Sequence, residues 1–180
     1  MKNVFFLIIF LSASVSSQPI HLPIQNIMQQ TPVWCWAAVA QQIILAKQGP
    51  MNTPAQCALV AMAHGQHPNF CCAGGGNPNC VKTGSLQQIQ YLIGQFGGSA
   101  TSIQPPAHPQ VLYNTLLSGR PIILQVQTGI SSAHVVVLTG MSFLPNGTPL
   151  LHINDPLAHF TQPVPFNNLL PIWMSAIVVN

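Results

Sequence analysis

Gln29-Gln30-Thr31-Pro32-Val33-Trp34-Cys35-Trp36-Ala37-Ala38 is the stretch on which the reading of this chain turns. Thr31-Pro32 stops what precedes it, and the run Ala37, Ala38, Val39, Ala40, Ile43, Ile44, Leu45 reads as a buried helix. Cys35 therefore stands where a helix begins. Backbone N–H groups in a first turn have no intrahelical partner and the helix dipole is positive there, so a thiolate is favoured and the sulfur becomes nucleophilic near neutral pH. A cysteine in a helical core is otherwise a small apolar filler. What separates these two readings lies further along the chain.

The 180 residues suit one domain with a sizeable core. Lys2, Lys47, Lys82, Arg120 and Asp155 are the charged side chains, and four scattered cations cannot build the basic face that nucleic acid requires. Nucleic acid is thus not an expected partner. Apolar residues make up 48% of the chain and are spread among Gln, Asn, Ser and Thr, which argues for a folded core rather than disorder. The N-terminus differs: Lys2, an apolar run over residues 4–11, then small polar residues over 12–17 have the layout of a secretory signal peptide cleaved after Ser17. Residues 1–17 are set aside as that signal and residues 18–180 form the expected domain. No later segment is an apolar run of membrane length. The mature chain is expected to be secreted or periplasmic, off the membrane and monomeric.

An oxidising compartment changes how Cys35, Cys57, Cys71, Cys72 and Cys80 read. Four of them cluster around the Gly74-Gly75-Gly76-Asn77-Pro78-Asn79 loop, so two disulfides there would leave Cys35 as the odd thiol. Pairing Cys57 with Cys71 and Cys72 with Cys80 avoids a bridge between neighbours. A zinc site using His64 and His67 competes for the cluster, but the C-x2-C spacing of thiolate zinc sites is absent. No metal or cofactor is expected.

The first half reads as helices. The Cys35 helix ends near Lys47-Gln48-Gly49-Pro50. A second covers residues 54–64, with Thr53 as cap and Pro54 in its first turn. A third covers 85–96 and a fourth 109–118. The second half switches period: residues 121–127, 133–141, 149–155 and 172–179 are rich in Ile and Val and read as strands, the second and third joined by the hairpin signal Asn146-Gly147. That turn also accounts for Asn146-Gly147-Thr148, which matches a glycosylation sequon. Helices followed by an antiparallel sheet give an α+β arrangement.

A thiolate nucleophile needs a base, and the base needs an orienting group. Of seven histidines, His134 opens the strand Ala133-His134-Val135-Val136-Val137, a rigid support for an imidazole. Asp155 is the sole side-chain carboxylate of the chain and closes the strand that the hairpin lays beside it. An Asp there accepts one imidazole N–H and leaves the other ring nitrogen for the thiol. Strand alternation puts Asp155 with Ile153 on one face and Asn154 with His152 on the other, which selects Asp155 over Asn154. The oxyanion formed on attack needs donors: the Cys35 N–H supplies one, and Gln29 or Gln30 lies upstream for a second.

Gln29 through Ala38, with Ala133-His134-Val135-Val136-Val137, Asn154-Asp155-Pro156, Gln56-Cys57, Cys71-Cys72 and Gly119-Arg120-Pro121, resembles the papain-like cysteine proteases. The likeness is to a bacterial branch that includes an effector protease secreted by plant pathogens and carries Trp-Cys-Trp-Ala-Ala at the nucleophile. It implies the papain-like fold, a protein or peptide substrate, and the roles of Cys35 as nucleophile, His134 as base and then acid, Asp155 as orienter and Gln29 as oxyanion donor. Val33-Trp34-Cys35-Trp36 departs from the Gly-Ser-Cys-Trp of papain, so substrate preference does not carry over. Amide transfer or side-chain deamidation uses the same triad on the same scaffold. A disulfide-stapled binding module with an inert Cys35 is the alternative from another class.

Overall fold

A computed structural model describes residues 18–73, 77–99, 102–104 and 106–180. The expected signal segment, residues 1–17, lies outside the described residues, as do the three glycines of the disulfide loop. Helix α1 (Cys35–Gln48) is buried along most of its length, through Trp36, Ala37, Ala38, Val39, Ala40, Gln42, Ile43 and Ile44. Its alanines let neighbouring elements come close without a bulky side chain between them. Helices α2 (Gln56–Ala63) and α3 (Leu86–Gln95) pack against it with Leu59, Val60, Ile89, Leu92 and Ile93. At the start of α3, Ser85 accepts from the Gln88 N–H while the Gln88 side chain accepts from the Ser85 N–H, a reciprocal cap.

Strands β1 (Ile20–His21), β2 (Ser102–Gln104), β3 (Ile122–Gln127), β4 (Ala133–Phe143), β5 (Pro149–Asn154), β6 (Val164–Pro165) and β7 (Trp173–Val178) form one antiparallel sheet. Its order is β2-β7-β3-β4-β5-β6, with β1 pairing on β4. Both faces are covered, which is why β3 and β4 read as nearly unbroken apolar runs. Ile123, Val135, Val137, Ile177 and Val179 face the helical core. Ile122, Leu124, Val126, Val136, Leu138 and Trp173 face a second core closed by Leu112 and Leu116 of α4 (Pro109–Leu117) and by Phe166 and Leu169 of the short α5 (Phe166–Leu169). This is the α+β architecture expected.

Three details differ from the reading of the sequence. Thr53 does not cap α2: its hydroxyl donates to Gly49 O at 2.7 Å, closing the 3-10 turn Pro50–Asn52, and α2 starts only at Gln56. Strands β1 and β2 return from the helical half to the sheet; two or three residues are too few to carry a period. The disulfides are Cys57–Cys72 and Cys71–Cys80, not the pairing expected. The turn after the 3-10 helix Pro68–Phe70 sends its adjacent cysteines opposite ways, Cys71 into the core to meet buried Cys80 and Cys72 outward to Cys57 on α2. With all four cysteines bridged, the zinc alternative for this cluster falls away. The β4–β5 hairpin is closed by Gly147 N–H to Leu144 O at 2.8 Å and Leu144 N–H to Thr148 O at 2.9 Å, with Gly147 at φ +81°. Only the glycine takes a positive φ, so the turn is of the glycine-bulge kind.

Candidate active site

Cys35 is the first residue of α1 and the free cysteine among the described residues. No side chain caps the helix, so the N–H groups of the first turn stay free of capping partners. His134, the second residue of β4, is 3% exposed. On its strand it shares a face with Val136 and Leu138, which pack in the second core, and from the strand end it lines the same cleft as Cys35.

Asp155 is fully buried and begins the loop that leaves β5, one residue past the strand end. Four donors converge on it. Oδ1 accepts from His134 Nε2 at 2.6 Å and from the Leu157 N–H at 2.8 Å; Oδ2 accepts from the His159 N–H at 2.7 Å and the Phe160 N–H at 3.0 Å. Ala158, at φ +57°, is the one non-glycine with positive φ among the described residues, and it lets the loop fold around the carboxylate. Asn154 turns away and donates to Ile24 O at 2.8 Å. With Nε2 engaged by Asp155, Nδ1 is the imidazole nitrogen left for the thiol.

Burial works against the charged imidazole, yet the hydrogen bonds to Asp155 and Cys35 and the negative charge of both raise the His134 pKa from 6.5 to about 9. Burial likewise opposes the Asp155 carboxylate, but the bonds from His134, Leu157 and Phe160 bring its pKa down from 3.8 to about 2. The pair is therefore an imidazolium and a carboxylate at neutral pH. Cys35 and His134 line a cleft of about 480 Å³ together with Trp36, Gly84, Leu157 and His159.

Residues 16–172 match the model of the family described as Papain-like cysteine protease AvrRpt2. The chain belongs to that family. As a papain-like cysteine protease of the AvrRpt2 family it is a cysteine peptidase, a hydrolase acting on protein or peptide substrates. Its fold is found in digestive procathepsin L 3 of Tenebrio molitor larval midgut, at 12% identity and TM-score 0.59, covering 92% of this chain and 70% of that one. A protein described as a C39-like peptidase from Bacillus anthracis aligns at 14% identity and TM-score 0.58, over 91% and 98% of the two chains. The bromelain protease from Ananas comosus, in complex with the E64 inhibitor, aligns at 14% and 0.52, over 89% and 97%. No curated protein sequence matches the chain.

In this AvrRpt2-family protease the two tryptophans beside Cys35 brace the cleft wall. Trp34 Nε1 donates to Cys80 O at 3.0 Å and Trp36 Nε1 to Lys82 O at 3.2 Å, so the segment stapled by Cys71–Cys80 is held on either side of the cysteine. Gly84 lies so close to the Trp36 ring that a Cβ there would sit 2.2 Å from it. Sequence reasoning missed Gly84, and missed Leu157 and His159, which reach the cleft through the Asp155 loop. The ring of His159 lies 5.6 Å from that of His134.

Gln29 and Gln30 part ways. The Gln29 side chain is half-buried: Nε2 donates to Thr31 O at 2.7 Å, and Oε1 is buried with no partner among the described residues. Its backbone N–H donates to Pro156 O at 3.1 Å, tying it to the Asp155 loop. The Gln30 side chain is exposed, and its backbone N–H donates to Gln56 Oε1 at 2.9 Å. Gln29 is not among the residues lining the cleft.

Proposed function

We propose that this protease cleaves peptide bonds through a Cys35–His134–Asp155 triad and a thioester intermediate. The observation that carries the reading is the 2.6 Å contact between His134 and the sole side-chain carboxylate, beside an unpaired cysteine at the mouth of a buried helix. The His134 imidazolium holds Cys35 as thiolate, and the sulfur attacks the scissile carbonyl carbon. The carbonyl oxygen takes up the electron pair as an oxyanion, met by the Cys35 N–H and by the Gln29 Nε2 hydrogen that is not given to Thr31 O. His134 then protonates the leaving amine, the C–N bond breaks, and the acyl group stays on sulfur. Neutral His134 next takes a proton from water as the water oxygen attacks the thioester, and the thiolate leaves. Asp155 stays ionised throughout and fixes the imidazole orientation.

In the same reading residues 1–17 are an export leader, and residues 18–180 form one monomeric peptidase domain working outside the cytosol. The two disulfides, which persist in oxidising compartments, support this. The exported protein is expected to begin at Gln18.

Digestion of a denatured protein by wild type and by Cys35→Ala, followed by mass spectrometry, tests the proposal. New backbone termini with wild type and none with the variant are expected. A one-unit mass gain on glutamine without scission would replace peptidase by deamidase, and transfer of the acyl group to an added amine by transferase. No turnover, with no selective iodoacetamide labelling of Cys35, would leave a binding module.

A further inference from the structure

The oxyanion donor assigned above sits on a segment with no regular structure of its own. Residues 22–30 make neither helix nor strand, so no ladder of backbone bonds holds Gln29. An oxyanion hole demands donors about 2.7–3.1 Å from the oxygen it stabilises, and a misplacement of about 1 Å costs on the order of 100-fold in rate. Something other than secondary structure must supply that accuracy.

Gln56 has the geometry to do so. It is 1% exposed at the start of α2, and its amide engages both peptide groups that flank Gln29. Nε2 donates to Met28 O at 2.8 Å, and Oε1 accepts from the Gln30 N–H at 2.9 Å. One planar side chain thus takes the place of a neighbouring strand across a single residue. Its second Nε2 hydrogen goes to Gln41 Oε1 at 3.1 Å, and Gln41 Nε2 donates to Pro54 O at 2.8 Å, so the amide cannot turn over without breaking bonds. The next residue, Cys57, is bridged to Cys72, which anchors the first turn of α2. Gln42, fully buried on α1, holds the preceding stretch through Asn26 Oδ1 at 3.1 Å and Ile27 O at 3.2 Å. On the other side, Asn26 Nδ2 donates to Asp155 O at 3.1 Å and the Gln29 N–H to Pro156 O at 3.1 Å. The segment is therefore suspended between glutamines of α1 and α2 and the backbone that follows the triad acid.

We infer that Gln56 is a positioning residue for catalysis: its buried amide clamps the backbone on either side of Gln29 and so sets the oxyanion donor relative to Cys35. The inference rests on the proposed role of Gln29. A glutamine needed only for packing would be replaced by leucine with little loss, because both fill a similar volume and leucine has no polar group to satisfy. Here leucine would strand Met28 O and the Gln30 N–H.

The test compares Gln56→Leu, Gln29→Ala and the double variant, in the full chain, on a denatured fluorophore-labelled protein. Gln56→Leu is expected to lower kcat by roughly 10- to 100-fold with KM changed by less than about twofold. Alkylation of Cys35 by iodoacetamide, a displacement at saturated carbon that forms no oxyanion, should keep its rate. In the Gln29→Ala background, adding Gln56→Leu should cost less than about twofold more, since both act through one donor. Should Gln56→Leu fail to fold, Gln56→Glu carries the same test: a carboxylate still accepts from Gln30 but cannot donate to Met28 O, and the same loss of kcat with retained alkylation is expected. Wild-type kcat in the folded Gln56 variant, independent losses in the double variant, or loss of alkylation in step with hydrolysis would each overturn the clamp. An unchanged kcat in Gln29→Ala would instead remove the oxyanion role of Gln29 itself, whatever Gln56 does.

Discussion

Cys35 and His134 stand on a helix and a strand, whereas Gln29 and Asp155 stand on irregular chain. The first pair is located by packing. Around α1 and β4 the neighbours are alanine, valine, leucine and isoleucine, and backbone ladders run on through both elements. The second pair is located by dedicated polar groups. Two peptide groups beside Gln29 bond to one buried glutamine, and three backbone N–H groups beside Asp155 bond to the carboxylate itself. Where secondary structure ends, the backbone groups it would have satisfied must be met by side chains. Asp155 therefore bonds at once to His134, which it orients in the proposed mechanism, and to the loop that brings Leu157 and His159 to the cleft.

The largest expected effect is loss of the proposed nucleophile. Cys35→Ala should reduce kcat by about 10⁶-fold, with the melting temperature little changed. Hydrolysis within about tenfold of wild type would disconnect Cys35 from the chemistry.

Asp155→Asn comes next, and it separates the two regions most sharply. An amide offers one acceptor oxygen, so its NH2 must face two of the four converging donors. Hydrolysis should fall by about 10²- to 10⁴-fold, and urea unfolding should show a loss of about 1–3 kcal/mol. A variant as stable as wild type would mean that the loop does not depend on the carboxylate.

The pH response follows from the same pair. Activity that requires the His134 imidazolium should fall as pH rises through about 9, by about tenfold per unit beyond it. His134, whose pKa is raised on folding, contributes stability that is full below its ordinary 6.5 and lost through about 9. Asp155, whose pKa is depressed, contributes stability that is full above its ordinary 3.8 and lost as pH falls toward about 2. Both contributions are complete between those two ordinary values. Unfolding free energies measured across pH 2–10 should peak in that window, and a stability maximum above pH 9 would contradict the pair.

Leu138→Ala probes the packed region. It should cost about 2–5 kcal/mol in unfolding free energy and leave kcat of the folded enzyme within about twofold, because His134 is held by many contacts rather than by one. Ala158→Gly should have the smallest effect. Relief of the left-handed conformation, about 1–2 kcal/mol, is partly offset by the greater freedom of glycine in the unfolded chain, so a gain of about 1 kcal/mol or less is expected. Differential scanning calorimetry reads both.

Long elements were legible before any coordinates. The limits of α1 follow from its apolar run and Gly49, those of α3 from Ser85 and its spacing, and the β4–β5 hairpin from Asn146-Gly147. Short elements were not, and neither were the disulfide partners, because the directions in which Cys71 and Cys72 point depend on a turn that no local pattern encodes. Asp155 was read as the last residue of its strand, whereas it lies one residue beyond the strand end. The loop that holds it depends on the carboxylate and three N–H groups meeting in space.

By itself the sequence determined the rigid parts of this protease: apolar period and composition state which segments become helix and strand, since burial of one face drives their formation. Cysteine arithmetic and the sole side-chain acid likewise marked Cys35 and Asp155 as unusual. The tertiary structure alone decided how Gln29 is held, that Gln56 brackets it, and that one carboxylate serves both a histidine and a loop. Those are hydrogen bonds between residues far apart along the chain, Gln29 with Pro156 and Met28 with Gln56 among them, and geometry of that kind is written only when the chain has folded.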